Sequence, residues 1–281
     1  MIVDFFCPRW GSEHIPWDTF LPMVVQAGYR GIEWFPYGEE CNIDEVTALL
    51  QKHGLQFTIV MTVLGEQADF AGYLQELKLR LVDLSQIGKN LGGPLCISAQ
   101  TGREYFSPDQ IDAILTCCLG VSRDTGIPIY QETHRNKWSY ALHVMPEVLK
   151  RHPETMLTLD ISHWFCVSES LLEDQQEAMK VAIGRARHLH ARIGHTQGSQ
   201  VADPSLPQYT DTVNAHLRVW DQWTAERKLA GIERLTITPE FGPTPYLVPT
   251  HTTKTAWEQQ WDLNLWMKDL LNRRYNLFKH S

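Results

Sequence analysis

Four strand-like runs in this chain each carry, at or near the end, a residue suited to metal binding or acid–base chemistry. Ile129-Tyr130-Gln131-Glu132 ends in a glutamate. Leu157-Thr158-Leu159-Asp160 ends in an aspartate, with His163 three residues on. His188-Leu189-His190-Ala191-Arg192 carries histidines, and Leu235-Thr236-Ile237-Thr238-Pro239-Glu240 ends in a second glutamate. Glu132, Asp160, His190 and Glu240 are separated by 28, 30 and 50 residues. The first two steps each fit one strand plus one helix, and the third adds a long connection. Strands repeated at this interval run parallel and need crossover helices between them. Glu, Asp, His and Glu together form an oxygen-rich set with one nitrogen, suited to Mn²⁺, Mg²⁺, Co²⁺, Zn²⁺ or a similar divalent ion.

The same unit recurs along the whole chain. Earlier strands are expected at residues 2–6, 31–35, 55–63 and 95–99. Helices are expected at 16–27, from Asn42 or Asp44 to His53, at 67–91, from Ser107 to about Gly126, and at 139–151, 171–185, 213–229 and 257–278. Ser107-Pro108-Asp109-Gln110 is a helix start, with serine as cap and proline in the first turn. Eight strands alternating with eight helices predict an α/β fold with a parallel sheet. In 281 residues, eight units favour closure into a (β/α)₈ TIM barrel, one domain over 1–281. No Gly-x-Gly-x-x-Gly follows the first strand, which weighs against an open dinucleotide-binding sheet.

In such a barrel the site lies where the strands end. Strand alternation then sorts the neighbours. An inward His190 brings His188 and Arg192 inward, Glu240 brings Thr236 and Thr238, and Glu132 brings Tyr130. An inward arginine needs a partner, so Arg192 is expected either to pair a carboxylate of the set or to bind an anionic substrate group.

Composition narrows the partners. The chain is 43% hydrophobic and 21% charged, ordinary for a domain with a real core, and its formal net charge of −8 argues against a general nucleic-acid surface. Its six cysteines form no Cys-x-x-Cys and read as small buried thiols in a reducing compartment. No basic segment leads into a long apolar one, and no apolar run approaches a membrane span. A cytoplasmic protein without a membrane partner is expected.

The chain resembles the xylose isomerase-like TIM-barrel superfamily, the sugar phosphate isomerase/epimerase group, over nearly its whole length. The segments His190-Ala191-Arg192-Ile193-Gly194-His195-Thr196-Gln197-Gly198-Ser199-Gln200-Val201 and Thr238-Pro239-Glu240-Phe241-Gly242-Pro243 resemble one of its less characterised branches. The resemblance implies one divalent ion held by Glu132, Asp160, His190 and Glu240. It implies His163 as a substrate contact, by the position it takes in related ketose epimerases. It implies an isomerase or epimerase of a small sugar or polyol derivative. Such proton transfer needs a base and an acid, and Glu132 and Glu240, from different strands, are expected both to ligate the ion and to shuttle the proton. Two family features are displaced. A second glutamate that some epimerases place six residues after the strand-five glutamate is Trp138 here. The arginine that lies several residues beyond the strand-seven histidine is here Arg192, only two beyond.

Other residues are candidates for the same face. Glu33 ends the second strand and is read as a substrate contact or as the partner of a barrel arginine. His134 follows Glu132 on the same face. Trp10, Trp34, Trp138 and Trp164 follow strands and could wall a sugar pocket, since a sugar's C–H face stacks on an aromatic ring. Gln200 lies in the long polar connection and could reach over the site. Trp220, Trp223, Trp257, Trp261 and Trp266 recur at near-helical spacing and suit a core or the interface of a homo-oligomer. Three other functions share the scaffold. One is metal-dependent dehydration of a cyclic polyol or polyhydroxy acid. Another is a DNA-repair nuclease, which would need more histidine ligands and a basic groove. The third is a non-catalytic sugar-binding protein.

Overall fold

Eight short runs of alternating apolar residues pair into one closed parallel barrel. The structure is a computed structural model and describes residues 1–63, 69–250 and 253–277. The strands are β1 (Ile2–Pro8), β2 (Gly31–Trp34), β3 (Gln56–Thr62), β4 (Ile97–Gln100), β5 (Ile129–Glu132), β6 (Met156–Leu159), β7 (Ala186–Ala191) and β8 (Arg234–Pro239). They neighbour one another in chain order, and β8 closes on β1 with Ile2 opposite Arg234 and Phe5 opposite Ile237. The helices are α1 (Trp17–Gln26), α2 (Ile43–Lys52), α3 (Phe70–Leu84), α4 (Pro108–Thr125), α5 (Met145–Arg151), α6 (Ser162–Ser168), α7 (Gln176–Arg185), α8 (Thr210–Leu229) and α9 (Ala256–Asn272). The fold is therefore the (β/α)₈ barrel that the periodicity implies. Among the described residues no helix is long and apolar enough to cross a membrane.

Several helix starts are set by capping chemistry. Ser107 accepts from the Gln110 N–H while the Gln110 side chain accepts from the Ser107 N–H, and Pro108 fills the first turn. Gly126 ends that helix in the left-handed conformation, at φ +76°. Asn42 accepts from the N–H groups of Asp44 and Glu45.

Other boundaries differ from expectation. The helix expected over 67–91 starts at Phe70, capped by Asp69, and ends at Leu84. Gln67 itself lies outside the described residues. Gly88, at φ +61°, then turns the chain into a short 3₁₀ stretch. The helix expected from Ser139 starts at Met145 instead. Ser139 is occupied in the preceding connection, where its hydroxyl donates to the Glu132 carbonyl at 2.5 Å. The helix expected from Leu171 starts at Gln176, and the unexpected α6 precedes it, immediately after Asp160.

The barrel has two different interiors. Outward strand residues such as Ile32, Ile59, Ile97, Leu157, Leu159 and Leu189 pack under the helices and are fully buried. Barrels are usually filled inside by branched apolar side chains. Here Thr58, Ser98, Glu132, Thr158, His188, His190 and Thr238 occupy the inner rows, all almost fully buried. Glu33 on β2 reaches His188 and His190 on β7, which are not neighbouring strands. That contact runs through the middle of the barrel and defines a polar axis beneath its C-terminal face.

Candidate metal centre and pocket

Glu132 is the last residue of β5, and Asp160 directly follows β6. Asp160 is fixed at both ends. The Thr133 hydroxyl donates to the Asp160 carbonyl at 2.7 Å, and Thr133 Oγ1 accepts from the Asp160 N–H at 2.8 Å. One carboxylate oxygen accepts from the Ser162 N–H at 2.9 Å, the other from Arg192 at 2.5 Å. His190 lies in β7, and Glu240 directly follows β8. Glu132, Asp160, His190 and Glu240 each offer one ligand atom, and these atoms lie within 4.8 Å of one another.

The donor set fits a divalent cation. His190 Nδ1 lies 3.1 Å from Glu240 Oε2 and 3.6 Å from Glu132 Oε1. Neither His190 Nδ1 nor Glu240 Oε2 has a hydrogen-bond partner, although both are buried. Buried polar atoms are seldom left so, and unpaired acceptors converging on one point suit an ion. Burial pushes the His190 pKa down, but Glu240, Glu33 and Glu132 together hold it well above the ordinary range. The protein thus concentrates negative potential at this nitrogen.

A second layer orients the imidazole. His190 Nε2 lies 3.1 Å from Glu33 and faces away from the ligand cluster. A proton on Nε2, donated to Glu33, leaves the Nδ1 lone pair free for a cation, an arrangement common behind metal-bound histidines. Glu33 also meets His188 Nε2 at 3.2 Å and accepts from the Thr58 hydroxyl at 3.3 Å. His188 is held by Thr236 at 2.7 Å and Thr238 at 3.1 Å. Burial works against the Glu33 carboxylate, but His190 and His188 outweigh it and hold the group ionised, well below the usual carboxylate range. Sequence reasoning offered an arginine as the partner of Glu33. The partners are the two inward histidines of β7.

Above this centre is a cavity of about 240 Å³. Trp10, Trp34, Phe35 and Tyr246 supply apolar walls, and Thr62, Gln100, His134 and Arg192 supply polar edges. Glu33, Glu132 and Glu240 also reach it. Trp10 meets Tyr246 edge-on, with ring centroids 5.3 Å apart. Gly242 makes room for this wall: a Cβ there would lie 2.2 Å from the Trp10 ring. Gln100 donates to Glu132 at 3.0 Å.

Other expected residues sit one layer back. His163 is fully buried behind His134, with ring centroids 4.0 Å apart, and does not line the cavity. Its Nε2 is 2.9 Å from Arg192 and its Nδ1 is 2.9 Å from Arg135. A guanidinium only donates and a neutral imidazole accepts at one nitrogen, so only one of these contacts can be a hydrogen bond at a time. Burial first, then the neighbouring charges, push His134 down to about 3 and His163 well below its ordinary range, so both are neutral. Arg192 is 2% exposed, pairs Asp160 and approaches Glu240 at 3.6 Å. Trp138 and Trp164 are buried away from the cavity and donate to Gln131 and to the Ser139 carbonyl. Gln200 does not line the cavity. It clamps the Gly242 backbone, accepting from its N–H at 2.8 Å and donating to its carbonyl at 3.3 Å. All six cysteines are free thiols.

Sequence reasoning missed Thr62, Gln100, Phe35, Arg135, Lys137 and Tyr246. Thr62 and Gln100 end β3 and β4 and could have been found by the same strand-end rule. Tyr246 lies in the connection after β8, where no periodic pattern marks it.

No protein-family model and no curated protein matches the chain. Solved structures do. A zinc-bound IolI protein aligns over 98% of this chain and 99% of its own, at 14% identity and a TM-score of 0.66. The Escherichia coli 3-keto-D-glucoside 4-epimerase YcjR aligns over 95% and 100%, at 13% identity and a TM-score of 0.60. The probable 3-DHS dehydratase AsbF of Bacillus anthracis aligns over 97% and 100%, at 17% identity and a TM-score of 0.60. The chain has the xylose isomerase-like TIM-barrel fold. Structural neighbours with this barrel include further sugar isomerases and epimerases and an AP endonuclease of family 2 from Brucella melitensis. At these identities they establish the architecture, and the reaction has to be argued from the site.

Proposed function

We propose that this protein is a divalent-metal-dependent isomerase or epimerase of a small sugar or sugar derivative. The observation that carries this reading is the convergence of Glu132, Asp160, His190 and Glu240 around unpaired acceptor atoms at the floor of an aromatic-walled cavity. An ion bound there would act as a Lewis acid toward the carbonyl and hydroxyl oxygens of an α-hydroxy carbonyl substrate. Glu132 and Glu240 come from different strands and both reach the cavity, so one can remove a proton from the carbon while the other returns it. Gln100 holds Glu132 in place, and Arg192 holds Asp160. The rings of Trp10 and Tyr246 give the C–H face of a sugar an apolar surface to lie against.

Elemental analysis of wild type and Asp160→Ala, purified alike, tests the centre. About one equivalent of Mn, Co or Zn, retained or taken up on titration by the wild type and lost by the variant, is the expected result. Wild type that takes up no divalent ion would overturn the reading. With the ion identified, ketoses and aldoses incubated in deuterated water should gain carbon-bound deuterium. Glu132→Gln and Glu240→Gln should each slow that exchange by about 10²–10⁴-fold. Full exchange in both variants would refute the two-glutamate assignment.

A further inference from the structure

Two basic side chains near the cavity are almost fully buried, Arg192 and Lys137, and they are treated very differently. Arg192 is balanced by Asp160 and Glu240. Lys137, 6% exposed, has no carboxylate within ion-pair distance among the described residues. Its ammonium donates to the Thr62 hydroxyl at 2.9 Å and makes no other hydrogen bond among the described residues. Two of its three N–H donors are therefore unused, in a place where an unpaired charge is costly. That hydroxyl donates onward to the Gln100 carbonyl at 3.2 Å. Thr62 and Gln100 both line the cavity, and Lys137 stands one layer back, behind Thr62. His134, three residues before Lys137 in the same connection, also lines the cavity. Burial first, then Arg103, pull the ammonium down to about 8. Glu132 and Glu104 offset this only in part, and an acceptor anion in contact with the ammonium would reverse the penalty.

The charges of the site point the same way. Counted as formal charges, Glu33, Glu132, Asp160 and Glu240 carry four negative charges. Arg192, Lys137 and a divalent ion carry four positive ones. Arg135 adds a further cation, stacked over Tyr246 at 5.0 Å and without a carboxylate partner among the described residues. A loaded site would therefore hold a surplus positive charge.

We infer that Lys137 is a substrate-binding residue that takes an anionic oxygen, and that the substrate is a polyhydroxy carboxylate, a sugar acid rather than a neutral sugar. This rests on the reading of the site given above and specifies its substrate class. A carboxylate is favoured over a phosphate because a single ammonium, reached past Thr62, meets it at this end of the cavity, and the Thr62 proton is already given to the Gln100 carbonyl. Phosphates are usually held by several converging N–H donors.

The test is calorimetric binding of matched ligands to the full chain, with and without the divalent ion that it binds. D-Glucuronate is compared with D-glucose, D-galacturonate with D-galactose, and D-gluconate with D-sorbitol; D-glucose 6-phosphate is the phosphate arm. At least one carboxylate should bind wild type tenfold or more tighter than its neutral partner. In Lys137→Met the two members of that pair should bind alike, and Lys137→Arg should keep a preference for the acid. The comparison within wild type needs no variant, so a misfolded Lys137→Met does not remove the test. Equal binding within every pair overturns the inference. So does a carboxylate preference that survives in folded Lys137→Met. Tightest binding of the phosphate, lost in Lys137→Met, overturns the carboxylate assignment. Metal titration in the same experiment separates the two readings. Metal uptake with no acid preference removes only the inference about Lys137, and absence of metal uptake removes the proposed function.

Discussion

Glu33 has a role disproportionate to its distance from the chemistry. Its carboxylate meets His190 on the side opposite the ligand cluster and meets His188 below. Glu33→Gln keeps the shape and removes the charge that favours a proton on His190 Nε2. Divalent-ion affinity should fall about 10–100-fold by titration, with Glu132, Asp160 and Glu240 untouched. Unchanged affinity would show that the imidazole is oriented without it. How far this residue was legible in the sequence depends on what is asked. That Glu33 faces inward follows from its strand. That it serves histidines does not, because His188 and His190 are remote in the chain and lie across the barrel. The signal was in β7: two inward histidines on one strand require acceptors, and strand alternation identifies both. His163 was legible as a residue of the site, but not its depth. Its place behind His134 is set by α6, which turns immediately after Asp160.

At the scale of elements, strands and capped helices were readable because their signals are local. Apolar alternation marks the strands, and Ser107-Pro108-Asp109-Gln110 marks a helix start within four residues. Helix α6 was unreadable because Ser162, His163, Trp164 and Phe165 are all buried, which leaves no amphipathic period to detect. Helix α8 shows what such packing requires of a histidine. His216 is fully buried against Phe165 and Trp220. Its Nδ1 donates to the Thr212 carbonyl at 2.8 Å, and its Nε2 accepts from the Gly194 N–H at 3.3 Å. Both contacts need the neutral ring, and burial pulls the pKa down to about 4 from an ordinary 6.5. The folded-state value is the lower one, so the contribution is complete above pH 6.5 and is lost as pH falls toward 4. Over that window the unfolded chain takes up a proton that the fold excludes, which costs roughly 3 kcal/mol. Denaturant midpoints measured between pH 4.5 and 7.5 should fall with acidity more steeply in wild type than in His216→Gln. Parallel curves would show that the ring is not held neutral.

At the scale of the molecule, the barrel is closed where β8 meets β1. β2 first pairs with β1 at Phe6. Upstream of that point the Asn276 side chain takes over, accepting from the Val3 N–H at 3.0 Å and donating to the Val3 carbonyl at 2.9 Å. Asn276→Leu removes both contacts from part-buried backbone groups and should lower stability by about 1–3 kcal/mol in denaturant titration. An unchanged midpoint would place closure elsewhere. Two of the aromatic walls of the cavity hang from this seam, Trp10 after β1 and Tyr246 after β8, so the mouth of the pocket depends on this junction. The polar axis inside the barrel has a consequence for descent. Glu33, Thr236 and Thr238 are joined through His188, and replacing that histidine by an apolar residue takes a partner from each of them. Such a set behaves as a single inherited character. Lineages of this barrel should keep the group whole or exchange it whole for an apolar filling. A lineage that lost the chemistry above it could therefore carry the axis long afterward as a relic of the ion it once supported.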